Sequence, residues 1–228
     1  MTVSLRDDLL AQGYFEQPAI VPPDLISRAR HDVESHPEAV DAFLDDAMWD
    51  ILDAILPSAR VALAREVAIL PGVWAWRVAP GDRGWGPHRD NPQHARDDHG
   101  ELTRITIWVP LTDATTRNGC IHCVPAYWDY SYQNPKGGNV ISAEQCIRAV
   151  PATTGSILGW SHALLHWGGA CAPDAPPRLA TSFELIRSDL AHTEPTHPAG
   201  WRPAPSERAA YVAAMREKYG HMLDPHPR

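Results

Sequence analysis

The sequence contains no run of lysines and arginines in its 228 residues, and its formal net charge is −8. That excludes an extended basic face, and with it nucleic acid, a polybasic membrane patch or an acidic polymer as partner. No apolar stretch is long enough to cross a bilayer. The first residues, MTVSLRDDLLAQGYF, carry acids at positions 7 and 8 and no uninterrupted apolar segment, so neither a signal nor a transit peptide is expected. Cysteine is scarce. Four residues (Cys120, Cys123, Cys146 and Cys171) without a secretion signal predict reduced thiols in a cytoplasm, not disulfides. Internal repeats and low-complexity segments are also missing.

What is present is a globular composition, 44% hydrophobic, sufficient for one sizeable core over residues 1–228. The expected organisation is mainly helical support over 1–66, a β-core over 67–187, and a tail with one helix over 188–228. Twenty-two prolines and fifteen glycines break the chain into short segments. Most of the nine tryptophans fall between positions 74 and 167, where packing is the first role of each and lining a pocket the second.

After Pro22 and Pro23, Asp24 is a candidate cap for a helix to about His36, closed by Pro37. Residues 38–56 place Val40, Phe43, Leu44, Trp49, Ile51, Leu52 and Ile55 near a helical period, which predicts a second helix stopped by Pro57. From about residue 67 the period shortens. VAIL, GVWAWRV, LTRITIWVPL, CIHCV, GSILGW and RLATSFEL are β-branched and aromatic runs bounded by turn residues, an antiparallel sheet pattern. SERAAYVAAMREKYG predicts a last helix, with Ser206 as cap and Gly220 as stop. The fold class expected is α+β, a β-sandwich or jelly roll buttressed by N-terminal helices.

The chemistry is concentrated in two places. In GWGPHRDNPQ, His88 and Asp90 alternate onto one side of an extended chain, so that an imidazole and a carboxylate converge. A hydrogen-bonded surface pair would satisfy the same spacing, and a third ligand is needed to make a metal site. Downstream, GSILGWSHALLHWGGACAPDAPPRLATSFEL supplies His162 and His166, then Arg178 at the start of a strand. Two histidines and a carboxylate on one side of a metal leave three positions open, the facial triad of non-haem Fe(II) oxygenases, and a guanidinium is a fixed two-pronged partner for a carboxylate. CIHC at 120–123 has the spacing of zinc and redox motifs. No second cysteine pair completes a site, and in a strand its two sulfurs point to opposite faces.

The chain resembles the phytanoyl-CoA dioxygenase family of Fe(II)- and 2-oxoglutarate-dependent oxygenases. Four blocks carry the resemblance in order: LLAQGYFEQPAIVPPDLISRAR, the His88/Asp90 motif, ITIWVPLTDATTRNGCIHCVPA, and residues 155–185. The third block keeps Trp108, Leu111, Asp113, Asn118, Gly119, Val124 and Pro125, but has Ala126-Tyr127-Trp128 where the family has Gly-Ser-His. His166 lies 11 residues after Gly155 and Arg178 lies 12 after His166, as the family's distal histidine and co-substrate arginine do.

The resemblance implies a double-stranded β-helix, of the jelly-roll or cupin-like kind. It implies Fe(II) on His88, Asp90 and His166, 2-oxoglutarate chelating the metal with Arg178 on its far carboxylate, and O2 in the remaining position. It also implies oxidation of a small molecule with release of succinate and CO2. A carboxylate at Asp90 favours oxygenation over halogenation. In LTRITIWVPL, Arg104, Thr106 and Trp108 share a face that the resemblance turns toward the co-substrate, making Thr106 and Trp108 contacts. Ser182, four after Arg178, is a further donor to the distal carboxylate. His162 is then a loop or supporting residue. Trp74 and Trp76 are assigned to sheet packing, Arg77 to the surface or to an anionic substrate, and residues 127–139 to a loop able to close over a ligand or to a packed surface excursion. A CoA substrate would favour a cationic rim, which this acidic chain lacks. Two other classes use the same residues: a non-catalytic ligand- or metal-binding protein on this fold, and a zinc-dependent hydrolase. Both leave Arg178 unexplained. Nothing in the sequence indicates oligomeric state.

Overall fold

The computed structural model describes residues 4–134, 138–141 and 144–220. Short helix α1 (Leu5–Gln12), capped by the Ser4 hydroxyl and ended by Gly13 in the left-handed region, leads into strand β1 (Tyr14–Gln17). Helix α2 spans Pro23–Ser35 with Pro23 in its first turn. Pro22 is the capping residue, so Asp24 sits inside the first turn and does not cap. Its buried stripe is Leu25, Ile26, Ala29 and Val33.

The predicted 38–56 helix is two elements. Ala39–Leu44 is a 3-10 turn, and α3 runs Ala47–Leu63 with Pro57 inside it. The break falls at Asp45, whose backbone is extended, and the Trp49 indole N–H donates to the Phe43 carbonyl at 3.0 Å across it. Pro57 does not stop α3, because the apolar face continues past it through Ala59, Ala62 and Leu63. Pro57 lies on the exposed side, where the carbonyl that loses its amide partner faces water, and burial of the opposite face outweighs the lost bond.

The strands are β2 (Val67–Val78), β3 (Arg104–Pro110), β4 (Ile121–Val124), β5 (Arg148–Val150), β6 (Ile157–Ser161), β7 (Leu165–Gly168), β8 (Arg178–Arg187) and β9 (His197–Pro198). They form two sheets, a large one ordered β1-β6-β3-β8-β2-β9 and a small one ordered β5-β4-β7, with every pairing antiparallel. β6 and β7 belong to different sheets, and the turn between them carries the chain from one to the other. Helix α4 (Pro205–Tyr219) follows. Ala204 is its capping residue and Glu207 accepts the Ala204 N–H at 2.9 Å, so Ser206 lies within the first turn.

Alternation along the large sheet sorts its two faces. Ile105, Ile107, Val109, Phe183 and Leu185 pack on Phe43, Trp49 and Ile55 of the helical layer. Trp108, Leu158, Trp160 and Ala180 turn the other way, toward Ile121, Cys123 and Val150 of the small sheet. The helices therefore cover one face of the large sheet and the small sheet covers part of the other. One irregularity interrupts the pattern: Ile69 pairs with Leu185 and Val73 with Phe183, so residues 70–72 of β2 bulge opposite the single residue Glu184.

Candidate active site

His88 and His166 are held together by backbone before any side chain acts. Each donates its N–H to the other's carbonyl at 3.0 Å, an isolated rung that adds residue 88 to the edge of β7. His88 Nδ1 lies 2.9 Å from the Gly86 carbonyl and His166 Nδ1 lies 3.1 Å from the Leu164 carbonyl. A carbonyl only accepts, so both rings carry their proton on Nδ1 and present a bare Nε2. Asp90 completes the cluster, with one ligand atom from each of the three residues within 4.8 Å of the others.

The Asp90 carboxylate is divided between two tasks. Its Oδ2 accepts from the Thr106 hydroxyl at 2.6 Å and from the Trp160 indole at 2.9 Å. Its Oδ1 faces the histidines, 3.5 Å from His166 Nε2 and 3.7 Å from His88 Nε2. Burial works to raise the Asp90 pKa, but the imidazoles of His166, His162 and His88 and the Thr106 hydroxyl outweigh it and hold the group below the usual carboxylate range. Burial pushes His166 down to about 4, so its ring is neutral near pH 7. Two imidazole Nε2 atoms and one carboxylate oxygen converging on a point from one side fit a six-coordinate Fe(II) with open positions.

His162 is not part of the ligand set. It is fully buried, and its Nε2 lies 3.1 Å from the Thr106 hydroxyl oxygen. The Thr106 proton is committed to Asp90, so His162 Nε2–H donates and Thr106 relays between the two. Thr106 lines the cavity, and its hydroxyl bonds both Asp90 and His162.

Arg178 enters the same cavity of about 110 Å³ from the first position of β8. It is 2% exposed, its Nε has no hydrogen-bond partner, and no carboxylate pairs with it among the described residues. Burial lowers its pKa to about 10. The Trp108 ring lies 5.4 Å from its guanidinium carbon. A buried cation without a counter-charge costs several kcal/mol (roughly 3–5), and the fold retains it in a cavity beside three potential metal ligands. Ser182 also lines the cavity. Its Oγ accepts the Trp76 indole N–H at 3.1 Å, which leaves the hydroxyl proton to donate.

Several residues that line the cavity carry no motif in the sequence. Trp74 and Trp76, assigned to packing, both line the cavity, as do Trp85, Trp160, Gly72 and Glu184. A signal exists for three of them: Trp74 and Trp76 share strand parity, and Glu184 has the parity of Arg178 and Ser182. Arg77 faces away and donates to the carbonyls of Val33, His36 (2.8 Å) and Pro37 (3.2 Å), so it closes the C-terminal end of α2 and does not anchor a substrate. Arg104 is on the expected face but beyond the cavity, paired with Glu194 at 2.7 Å. In the segment 127–139, Asp129 forms a buried two-pronged pair with Arg89 at 2.7 and 3.1 Å, while Tyr130 is exposed; residues 135–137 lie outside those described. All four cysteines are free, with Cys146 half-buried and the rest buried.

A family model described as phytanoyl-CoA dioxygenase (PhyH) matches residues 23–178. No curated protein sequence matches the chain. Among solved structures, the fold is similar to SnoN, a non-heme alpha-ketoglutarate-dependent epimerase from nogalamycin biosynthesis, with 19% identity, TM-score 0.63, and 81% of this chain and 82% of that one covered. It is similar to the non-heme monooxygenase ThoJ in a nickel complex, at 15% identity and TM-score 0.69, covering 96% and 99%. A third is HygX from Streptomyces hygroscopicus with nickel and 2-oxoglutarate bound, at 16% identity and TM-score 0.61, covering 79% and 84%.

Proposed function

The chain belongs to the phytanoyl-CoA dioxygenase family, and from that premise we propose that it is an Fe(II)- and 2-oxoglutarate-dependent dioxygenase that hydroxylates or otherwise oxidises a small molecule. His88, Asp90 and His166 hold the iron. Arg178 binds the distal carboxylate of 2-oxoglutarate, with Ser182 as a second donor and Trp108 packed on the guanidinium. With O2, the iron and 2-oxoglutarate supply the oxidising power for attack on a C–H bond, and succinate and CO2 leave. The protein contributes position: Thr106 and Trp160 fix one carboxylate oxygen so that the other is aimed, and the Gly86 and Leu164 carbonyls fix the two rings. The whole described chain serves this one site, the helical layer as support and the two sheets as its walls.

The observation that carries this reading is Arg178, a buried guanidinium with no carboxylate partner among the described residues, in the cavity of the three ligands. A zinc hydrolase has no need of it, and a bare metal-binding protein has none either. The test is anaerobic titration of the apoprotein with Fe(II) and 2-oxoglutarate, following the visible charge-transfer band of the chelate. The band is expected to need both additions, to vanish in Asp90→Ala, and in Arg178→Ala to require about a hundredfold more 2-oxoglutarate, the loss expected when a charge-assisted two-pronged pair is removed. Folded, iron-loaded protein that gives no band would turn the assignment toward the zinc or ligand-binding alternatives.

A further inference from the structure

The register between β2 and β8 puts a tryptophan beside the Arg178 end of the cavity. Trp76 pairs with Ala180, so on the cavity face it stands between Arg178 and Ser182, which flank Ala180 on the same side of β8. Ala180 is fully buried, and its single methyl group leaves room for the indole. The Trp76 Nε1–H donates to Ser182 Oγ at 3.1 Å, a diagonal contact between the two strands. Ser182 itself sits in a rung between Trp74 and Trp108, and the Arg178 guanidinium carbon lies 5.4 Å from the Trp108 ring. Both groups therefore border the same indole, which brings them to one part of the cavity although their backbones are four residues apart.

Trp76 is braced from the side of the metal loop. Its ring meets that of Trp85 at 79° with centroids 4.8 Å apart, and that of Trp74 at 60° and 5.9 Å. The Trp85 N–H donates to the Gly168 carbonyl at 2.9 Å, two residues along β7 from His166, whose backbone holds His88 in the same way. A Cβ on Gly168 would lie 3.4 Å from a terminal nitrogen of Arg178. One segment, residues 85–88, thus hangs on the edge of β7 and sets His88 at one end and the brace of Trp76 at the other. An indole N–H can only donate. Ser182 Oγ accepts it, so the hydroxyl proton is directed elsewhere, and the bond received strengthens the one that the hydroxyl then makes. Any aromatic ring would serve for packing; the nitrogen at this corner is the feature that packing does not require.

Resting on the proposed function, we infer that Trp76 is a positioning residue for the co-substrate: its indole N–H orients the Ser182 hydroxyl so that the proton points at the distal carboxylate of 2-oxoglutarate on Arg178. That carboxylate then meets a two-pronged guanidinium from one position of β8 and an oriented hydroxyl from another. Trp76 acts through Ser182, and the selection it enforces is for a keto acid with a second carboxylate.

The test compares 2-oxoglutarate with 2-oxopentanoate, a keto acid of the same length without the distal carboxylate. Each is titrated into anaerobic, Fe(II)-loaded protein and followed by the charge-transfer band of its chelate. Ser182→Ala should weaken 2-oxoglutarate about tenfold, the loss of one hydrogen bond to a charged group. Trp76→Phe should weaken it at least about threefold, the orienting bond alone being lost, and 2-oxopentanoate should be unchanged in both. In the double variant, Trp76→Phe should add nothing to Ser182→Ala, since it acts through that hydroxyl. A merely structural role would weaken both keto acids alike. That result, wild-type affinity in Trp76→Phe, or additive losses would each overturn the inference. If Trp76→Phe does not fold, Ser182→Ala decides: unchanged 2-oxoglutarate affinity overturns the inference and a loss confined to 2-oxoglutarate upholds it. Wild type that gives no band, or that chelates both keto acids equally well, is a separate result and overturns the proposed function on which the inference rests.

Discussion

Thr106 shows how much of the site depends on one hydroxyl. It donates to Asp90 at 2.6 Å and accepts from His162 at 3.1 Å, so both a metal ligand and a fully buried ring are oriented through it. Thr106→Val keeps the volume and removes both bonds. Metal affinity is expected to fall roughly 10- to 100-fold, the usual effect of losing an outer-shell partner. Stability should fall by about 1–3 kcal/mol because the His162 N–H is left unpaired in the core. Thr106→Ser should recover most of both. Titration with Mn(II) and urea denaturation measure the two effects, and unchanged metal affinity in the valine variant would remove Thr106 from the site. Strand parity put this side chain in the right place. It could not say that the hydroxyl serves Asp90, because that depends on Trp160 and His162 arriving from β6 and the turn after it.

Among the elements, the loop after β4 is tied to the metal loop more firmly than its composition suggests. Arg89, between two of the ligands, forms its pair with Asp129 with both side chains only 3% exposed, and also donates to the carbonyls of Ala163 and of Gly138 (3.1 Å). Asp129→Ala leaves a buried guanidinium without its counter-charge, and a loss of about 3–5 kcal/mol is expected in denaturant unfolding. The same variant should weaken metal binding, since Arg89 sets the backbone between His88 and Asp90. A variant as stable as wild type would mean that water takes over from Asp129. Helices and strands are legible where the periodicity is continuous and are lost where one residue overrides it. Pro57 by itself predicts a stop, but propensity is a local term and the buried stripe of α3 is a larger one. At the break before α3 sits Asp45, a short acidic residue of the kind that favours non-helical backbone, and no apolar periodicity marks it.

Across the whole molecule, Arg187 at the end of β8 gathers Asp97 from the long β2–β3 connection at 2.7 Å and Asp189 at 2.6 Å. Burial acts to raise the Asp97 carboxyl, but the Arg187 guanidinium and two backbone N–H groups outweigh it; at Asp189 the bond to Arg187 is the main cause of a lowered value. Folded-state values below the ordinary carboxylate range mean that the unfolded chain binds protons first as pH falls. The stabilisation is thus complete above about pH 5 and is lost as pH drops below about 4 and through the folded values. Unfolding free energy measured against pH should show that acid limb, and Asp97→Asn should flatten it; an unchanged limb would mean the pair contributes nothing. The two-sheet architecture with helices on one side was legible from alternation and from the change of period near residue 67. The opposition of Glu184 to the β2 bulge was not, because register between strands a hundred residues apart leaves no mark in either segment.

The rung joining residues 88 and 166 is made of main-chain atoms, and its partners are indifferent to which side chains those positions carry. Substitution at a ligand position therefore need not cost the descendant its architecture. A lineage can lose the metal, change it, or trade a ligand for another group while inheriting the same two-sheet frame. In such a fold new chemistry can be tried without first re-learning how to fold.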